Sequence, residues 1–394
     1  MLKEEVKILS KQIFPEVIAN RRHLHANPEL SFEEFETSAF IKEKLEELGI
    51  PWESMANTGV VGLLKGNLPS DQTIALRADM DALPIQEVAG RAYGSKNPGK
   101  MHACGHDVHS SSLLGVAKIL SSLKEKFGGT IKFIFQPGEE KLPGGASLMI
   151  KDGVLENPKP DAVLGQHVMS LIEVGKVGFR SGKYMASSDE IYVKVKGKGG
   201  HAAQPQQNID PIVITAHIIT ALQQIVSRVA DPKIPSVLSF GKIIAEGATN
   251  IIPNEVYLEG TFRTFDEVWR TKAHQKMKKM AEGIAESMDA VCEFEIRRGY
   301  PYLVNEEKLT AQIKSFAEDY LGKENVEDLD LWLAAEDFAF YSQQASACFY
   351  RLGTANKEKG ITSAVHTPTF DVDENALALS TGLMAYLAIK QLGN

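Results

Sequence analysis

The fold is decided by the stretch TIKFIFQPGEE at residues 130–140, in which a short apolar run leads directly into a turn and two carboxylates. The run is rich in β-branched and aromatic residues and is followed by proline and glycine, which predicts a buried strand. Similar strand-like runs occupy residues 73–78 and 162–164, and helical patterns occupy residues 108–123 and 146–151. Because strands alternate with helices, we predict an α/β domain with a mostly parallel sheet.

Polar residues follow each of the three strands. The segments are RADMD at residues 77–81, QPGEE at residues 136–140 and QH at residues 166–167. Ligands of open α/β sheets bind outside the carboxyl ends of the strands, so three polar endings in one domain indicate a functional site at that edge. The segment HACGHDVH, residues 102–109, lies between them and directly precedes a helix. Its side chains are therefore candidates for the same site.

Four residues of these segments could bind a metal ion. Cys104, His106, Glu140 and His167 offer a thiolate, two imidazoles and a carboxylate, which suit a borderline-soft divalent ion. By itself, the Cys-Gly-His segment is more typical of a buried thiol beside a capping turn. Glu139 reverses that interpretation, because two adjacent carboxylates repel each other unless a cation lies nearby. We therefore predict a metal site here rather than a solvated turn.

Other histidines are less informative. His366, in the segment SAVHTP, is isolated in sequence and is by itself more typical of a structural residue than of a ligand. His23 and His25, in the segment RRHLH, lie on a charged helical stretch without partner spacing. We interpret these two as structural or surface residues.

A second pattern begins near residue 187. Ile191, Val193 and Val195 alternate with polar residues, which predicts a strand with one face in solvent. A helix should follow Asp210-Pro211, because proline is favoured at the first helical position. The remaining elements are strands at residues 236–244 and 255–263, a helix at 266–288 and a strand at 291–296. This β-α-β-β-α-β order is typical of a ferredoxin-like (split βαβ) domain.

The two patterns divide the chain into domains. A chain of 394 residues is long enough for two or three domains. We predict a discontinuous metal-binding domain formed by residues 1–185 and 299–394. The ferredoxin-like domain, residues 186–298, is inserted into it.

Composition excludes several classes of partner. The chain has 43 basic and 51 acidic residues and a net charge of −8, so charge alone would not bind it to nucleic acid or to an anionic membrane. No apolar run approaches the roughly 20 residues of a membrane span, and the N-terminal segment MLKEEVKILSKQIF lacks a signal-peptide core. Three cysteines do not make a disulfide framework. We expect a cytoplasmic protein without nucleic-acid or membrane partners.

One segment matches a cofactor-binding motif in sequence but lacks the context that the motif requires. The segment GKGGHA at residues 197–202 fits the dinucleotide pattern G-x-G-x-x-A. A dinucleotide turn must open directly into a helix, yet Pro205 follows closely, and the position where an acidic residue is expected holds His217. The glycines instead predict a tight turn that exposes His201.

Nearly the whole chain resembles the dinuclear metallo-amidohydrolases related to aminoacylase and zinc carboxypeptidases. The likeness is greatest to the branch that holds hippurate hydrolase, indole-acetyl-amino-acid hydrolases and N-acetyldiaminopimelate deacetylase. The segments that carry it follow in order: RRHLHANPELSFEE, LRADMDALPI, MHACGHDVH, FQPGEE, GKGGHAAQP, ATNIIPNEVYLEGTFRTF, AEDFAFY and HTPTFDVDE.

This resemblance implies a zinc-peptidase-like catalytic domain that carries a lid through which two subunits form a homodimer. It also implies two divalent metal ions per subunit, with Glu139 as the general base. Zinc or manganese is expected, although nickel or cobalt could use the same donors. The implied ligands are Cys104, His106, Glu140, His167 and His366.

Further roles follow for residues around the metals. Asp81 would orient a metal-site group. His201 and Asn250 of the inserted domain would stabilise the tetrahedral oxyanion, which needs preorganised hydrogen-bond donors. Arg263 could bind the α-carboxylate of the substrate through two parallel hydrogen bonds. A surface ion pair is the alternative role for Arg263.

The resemblance implies a hydrolase that cleaves an N-acyl-L-amino acid to a carboxylic acid and a free amino acid. Asp79-Met-Asp81, where the peptidase branch usually has His-x-Asp, favours the acylase branch over the alternative, a metallodipeptidase or carboxypeptidase. Gln206 and Lys141-Leu142-Pro143 depart from the usual family pattern without removing a ligand. A non-catalytic binding protein of the same fold would be expected to lack Glu139 or a ligand, and all are present.

Overall fold

The computed structural model describes residues 2–393, which form two compact units. The first contains residues 2–184, 304–331 and 337–393, and the second contains Met185–Leu303 and Trp332–Glu336. The chain therefore leaves the first unit and returns to it. The short segment 332–336 belongs to the second unit, whereas the sequence placed it in the catalytic domain. The functional division of the chain into two domains, residues 1–185 with 299–394 and residues 186–298, remains a prediction.

The α-helices, in chain order, are α1 (Leu2–Ala26), α2 (Phe35–Glu47), α3 (His106–Ser122), α4 (Gly145–Lys151), α5 (Pro211–Gln224), α6 (Glu267–Glu286), α7 (Glu307–Leu321), α8 (Ala339–Ser342) and α9 (Asn375–Gln391). The strands of the first half are β1 (Trp52–Met55), β2 (Gly59–Lys65), β3 (Leu68–Asp79), β4 (Gly128–Gln136), β5 (Ala162–Glu173), β6 (Val177–Phe179) and β7 (Gly182–Met185). The later strands are β8 (Asp189–Lys196), β9 (Gly200–His201), β10 (Ser236–Ile244), β11 (Ile251–Ile252), β12 (Glu255–Thr264), β13 (Val291–Arg298), β14 (Leu303–Asn305), β15 (Val326–Asp328) and β16 (Ala347–Ala355).

The first unit is built on a mixed sheet. Within residues 2–393 this sheet has eight strands in the order β1-β2-β4-β3-β5-β16-β6-β15. The central strands β4, β3, β5 and β16 are parallel. Antiparallel partners, β2 on one side and β6 on the other, flank them. The α/β class is confirmed. The sheet is parallel through its four central strands and again at one edge, where β15 pairs in parallel with β6.

The central strands are buried almost continuously, as expected for strands covered on both faces. In β4 this burial includes Lys132, whose ammonium donates hydrogen bonds to the carbonyls of Val154 and Glu156. Helix α3, predicted from the spacing of its apolar residues, packs into the same core between α1 and α9. The central sheet therefore offers a rigid support at its carboxyl edge.

Two local expectations from the sequence are wrong. Strand β5 does not end near His167 but continues to Glu173, because β16 pairs with it as far as that residue. The segment Ser31-Phe-Glu-Glu34 has the sequence pattern of a capping box, which predicts that a helix starts near Ser31. Ser31 does not cap α2, which begins at Phe35 without a side-chain cap. The Ser31 hydroxyl instead donates to the buried carboxylate of Asp81 at 2.6 Å. A buried carboxylate needs donors more than a partly exposed helix end does.

The second unit contains an antiparallel sheet in the order β10-β12-β8-β13. In chain order its elements are β8, α5, β10, β12, α6 and β13, which is the predicted β-α-β-β-α-β order. Helix α5 buries Ile214, Ile218 and Leu222 in the core of this unit, and α6 buries Ala273 and Met277 there.

The opposite face of α5 is exposed and includes apolar side chains near the start of the helix. Ile212 and Val213 are 42% and 51% exposed. The helix and its extension, Pro211–Val229, have the length and composition of a helix that could cross a membrane. In this protein 28% of that stretch is buried. The expectation that no such segment exists is therefore wrong. The outer strand β10 also exposes Ile243 and Ile244, and the extension of α5 packs next to it.

Candidate functional site

Cys104 and His106 lie where the chain enters α3. Gly105, between them, has a left-handed backbone with φ of 83°. A Cβ atom at this position would lie 2.6 Å from Cγ2 of Val168, in the strand that carries His167. Glycine is therefore required both by the backbone conformation and by the close approach to β5. The Cys-Gly-His spacing thus brings Cys104 and His106 against His167.

Hydrogen bonds to backbone carbonyls set the tautomers of two histidines. Nδ1 of His106 lies 2.9 Å from the carbonyl oxygen of Asp81, and Nδ1 of His167 lies 2.8 Å from the carbonyl oxygen of Val168. In each ring Nδ1 must carry the proton, since a carbonyl can only accept. In the neutral ring Nε2 then carries the lone pair, which is how ligand histidines are usually oriented.

The five predicted ligands meet in the first unit. Sγ of Cys104 lies 3.3 Å from Nε2 of His167 and 3.3 Å from Nε2 of His366. Among the described residues, the donor atoms of Cys104, His106 and His167 all lie within 4.8 Å of one another, as do those of Cys104, Glu140 and His366. Two three-donor groups therefore share Cys104. His366, which its own sequence context marked as structural, is part of this cluster.

The donor cluster fits divalent cations. Nε2 of His106 and Oε1 of Glu140 lie 3.9 Å apart, and both are buried without a hydrogen-bond partner among residues 2–393. Buried polar atoms are rarely left unsatisfied, and cations bound in the two donor groups would satisfy both atoms. Burial raises the pKa of the Cys104 thiol well above its usual range, and the Glu140 and Glu139 carboxylates raise it further. The cluster thus has an excess of negative charge that divalent ions would neutralise.

The carboxylate of Asp81 orients the residues around it. Its Oδ1 accepts from the backbone N–H of Glu139 at 3.0 Å and lies 3.2 Å from Nδ1 of His106. Its Oδ2 accepts from the N–H of Glu140 at 3.0 Å. Burial raises the pKa of Asp81, but the hydrogen bonds from His106 and Ser31 lower it more, so its pKa lies below the usual range. Asp81 therefore fixes both the His106 ring and the turn that carries the glutamate pair.

Glu139 is held beside the ligands. Its side chain is buried, with 6% of the residue exposed, and Oε1 accepts from the backbone N–H of Asp337 at 3.4 Å. Its carboxylate lies within 4.8 Å of the donor atoms of His106 and Glu140. This position leaves a carboxylate next to the metal-ligand cluster.

Four residues that the sequence interpretation did not assign form a buried charge network next to the cluster. Nδ1 of His109 lies 2.5 Å from Oδ1 of Asp79, and its Nε2 accepts from the N–H of Val168, so neither nitrogen is free for a metal. Arg77 bridges Asp79 and Asp337 at 2.5 and 2.7 Å. The sequence does contain a signal for this network: Arg77 and Asp79 interrupt a strand that is otherwise apolar, and buried charges are rare unless paired.

The other predicted residues lie in the second unit. Asn250 and His201 are neighbours there, because the N–H of Ala202 donates to the carbonyl of Asn250 and Ile251 pairs with His201. Nδ1 of the exposed His201 accepts from the N–H of Ala203, so its Nε2 carries the proton. The GKGGHA segment leads into β9 and not into a helix, which confirms that it is not a dinucleotide turn.

Arg263, on β12, is half-buried, and burial lowers its pKa. In the part of the chain that the structure describes, no acidic side chain forms an ion pair with it. The alternative role as a surface ion pair is therefore not supported.

Comparisons with known proteins agree with this arrangement. The family model described as Peptidase family M20/M25/M40 matches residues 75–390. An N-acyl-L-amino acid amidohydrolase of Geobacillus stearothermophilus is 46% identical over 306 residues, which cover 77% of this chain and 82% of that protein. Thermostable carboxypeptidase 2 of Saccharolobus solfataricus is 39% identical over 393 residues, 99% of this chain and 98% of that protein. The crystal structure of a Bacillus subtilis protein, described as a dinuclear metal-binding peptidase of the M20 family, matches with a TM-score of 0.81 and 34% identity, covering 97% of this chain and 99% of that one.

Alkylation of Cys104 should depend on metal. A metal-bound thiolate resists iodoacetamide, so Cys104 should be protected in the metal-loaded protein and become labelled after chelation. Peptide mass mapping would measure labelling at each cysteine. Cys348 and Cys292 are buried and belong to none of the donor groups found among the described residues, so they provide internal controls, which the chelator should not affect. Equal labelling of Cys104 with and without chelator would instead support a buried thiol without a ligand role.

Proposed function

Because the chain belongs to peptidase family M20/M25/M40, we propose that it is an enzyme that hydrolyses N-acyl-L-amino acids to a carboxylic acid and a free amino acid. The observation that carries the proposal is the buried cluster in which two donor groups share Cys104 beside the carboxylate of Glu139. Metal-dependent hydrolysis of a linear amide uses both parts, a cation site and an adjacent base.

Two divalent ions fit the two donor groups. One would be held by Cys104, His106 and His167, and the other by Cys104, Glu140 and His366. When bound, such ions lower the pKa of an attacking water and polarise the amide carbonyl. Thiolate and imidazole donors suit zinc, while manganese, nickel and cobalt accept the same ligands.

The residues of the first unit then move the protons. Glu139 takes a proton from the attacking water and later gives it to the leaving amine. Its carboxylate is suited to this role because the backbone of Asp337 and the hydrogen bond from its own N–H to Asp81 restrain it. Asp81 acts as the positioning group, since it restrains the His106 ring at the same time.

Residues of the second unit would complete substrate recognition. His201 is a donor at Nε2, because its Nδ1 is already an acceptor, and the neighbouring Asn250 side chain is a second donor. Two such donors suit the oxyanion of a tetrahedral intermediate. Arg263 is half-buried and has no ion-pair partner within residues 2–393, so it is available for the α-carboxylate of the amino acid.

The second unit would also be the lid that forms a homodimer. Its outer strand β10 and the exposed face of α5 together present unpaired backbone groups and apolar side chains such as Ile212, Val213 and Ile243. Exposed edge strands and apolar patches of this kind mark association surfaces. A second copy would cover them reciprocally about a two-fold axis. With a net charge of −8 on each chain, the enzyme would act on small molecules in the cytoplasm, without nucleic-acid or membrane partners.

The alternative function is a metallodipeptidase or carboxypeptidase with the same catalytic groups, as the name of the Saccharolobus relative indicates for that protein. Asp79 argues for the acylase branch. The peptidase branch usually has a histidine at this position. Here a carboxylate binds Arg77 and His109 instead.

A substrate panel tests the proposed activity. The metal-loaded protein should cleave N-acetyl- and N-benzoyl-L-amino acids with a kcat/KM at least about tenfold higher than that for the corresponding dipeptides. The reason is that a dipeptide would place a charged ammonium group where a neutral acyl group fits, and burying that charge is costly. Liberated amino acid would be measured for both series under the same conditions. A preference for dipeptides would support the peptidase alternative.

Variants of the glutamate pair should separate base from ligand. Glu139→Gln should lower kcat by at least about a hundredfold, because the proton acceptor is lost, while metal content stays close to that of the wild type. Glu140→Gln should lower metal content as well, because it removes a charged ligand. Activity and metal stoichiometry would be measured on the same preparations. Retention of most activity by Glu139→Gln would show that another group is the base.

Mixed dimers test whether His201 acts on its partner's site. If His201 acts across the interface and Glu139 within its own subunit, each single variant, His201→Ala or Glu139→Ala, should be nearly inactive. Mixing them by dissociation and reassociation should restore activity, because each hybrid then has one intact site. The matched control is each variant taken through the same procedure alone. A mixture that stays inactive despite verified hybrids would show that His201 does not act in this reciprocal way.

A further inference from the structure

The buried side chain of His25, on α1, joins two segments that lead to different parts of the ligand cluster. Its Nδ1 is 2.8 Å from Oδ2 of Asp107, and its Nε2 is 3.2 Å from Oε1 of Glu87. The imidazole itself is fully buried. Ionised carboxylates only accept hydrogen bonds, so both ring nitrogens donate and His25 is an imidazolium ion. The structural role that the sequence indicated for His25 is therefore a bridge between two acidic residues.

Asp107 connects His25 to the part of the ligand cluster that contains His106. It directly follows His106 in the first turn of α3 and is completely buried. Its Oδ2 also accepts from Nε of Arg21 at 2.8 Å. Arg21 and His25 are thus two cationic partners of Asp107, and together they anchor the beginning of α3.

Glu87 connects His25 to the part of the ligand cluster that contains His366. It lies in residues 84–96, which contain no helix or strand and which we call the strap. Oε2 of Glu87 accepts from the N–H of Ser95 at 2.6 Å, and Oε1 accepts from Arg91 at 2.8 Å. These contacts fold the strap around the Glu87 carboxylate.

The strap in turn holds the segment that follows His366. The N–H of Val88 donates to the carbonyl of Pro368 at 3.1 Å, and Nη2 of Arg91 donates to the carbonyl of Thr369 at 2.9 Å. His366 depends on such support more than the ligands on α3 and β5 do. It lies outside any helix or strand, has a left-handed φ of 62° that is unfavourable for a non-glycine residue, and exposes 50% of its side chain.

We propose that His25 is a positioning residue for His366. By bridging Asp107 and Glu87, it keeps the strap against residues 368–369 and so sets the affinity for the cation that Cys104, Glu140 and His366 hold. The inference rests on the two-metal site of the proposed function. Its test measures metal binding rather than turnover, so the two can fail separately.

Competitive Zn²⁺ titration of the metal-free protein, with a chromophoric chelator, would resolve the two binding steps. His366→Ala identifies the step to which His366 contributes. In His25→Gln that same step should weaken about 10- to 100-fold, the usual effect of losing a group that orients a ligand, while the other step changes by less than about twofold. The control is His23→Gln, on the same helix, whose exposed ring only stacks on Phe40 and which should bind as the wild type does.

A second variant keeps the proposal testable if His25→Gln does not fold. Arg91→Met removes the side-chain contact with the carbonyl of Thr369 but leaves the bridge between His25 and Asp107 in place, and it should weaken the same step. Wild-type affinities in these variants, or equal weakening of both steps, would overturn the proposal, since a general loss of stability affects both sites alike. If the variants selectively weaken the metal-binding step of His366 but the wild-type protein cleaves no N-acyl amino acid, the role of His25 is supported and the proposed activity is refuted.

Discussion

The rest of the site depends on one buried carboxylate, that of Asp81. Four donors converge on it: the hydroxyl of Ser31, the ring of His106 and the backbone N–H groups of Glu139 and Glu140. They come from the segment before α2, the start of α3 and the turn after β4. Because a buried carboxylate is costly without donors, these segments can take only the arrangement that supplies them. The orientation of a proposed ligand and of a proposed base is thus fixed by the same charge.

Around Asp81, buried charges are paired in networks. Arg77 connects Asp79 with Asp337, and Arg21 with His25 neutralises Asp107. Removal of one partner from such a buried pair typically costs about 3–5 kcal/mol, because the other charge is left uncompensated. The donor cluster is therefore surrounded by groups that hold it in place before any cation binds. A preorganised cluster of this kind suits catalysis, in which geometry must be set in advance.

The candidate functional residues are distributed over both compact units. The first unit contains every candidate ligand and the carboxylate of Glu139, on or next to rigid elements of the central sheet. The second unit contains polar groups that are exposed or half-buried, His201, Asn250 and Arg263, on a scaffold with a large apolar surface of its own. This division follows from the folds themselves. A sheet with parallel strands concentrates polar ends at one edge, whereas an antiparallel split βαβ sheet leaves an edge strand open to association.

The α/β class, the order of elements in the second unit and the candidate donor residues could all be predicted from the sequence, because each is set by local periodicity, by residue chemistry or by motifs that span the chain. The central strand β16 was missed. Which residues, distant in sequence, form hydrogen bonds with each buried polar group could be seen only in the tertiary structure. Ser31 matched a helix cap in sequence, yet it binds Asp81, 50 residues away. His366 looked structural from its neighbours, yet it lies beside Cys104, 262 residues away. Likewise His25 had no partner spacing, yet it bridges Asp107 and Glu87. The physical reason is the same in each case: a buried polar group must find its partners wherever the fold places them, and sequence spacing does not encode that choice.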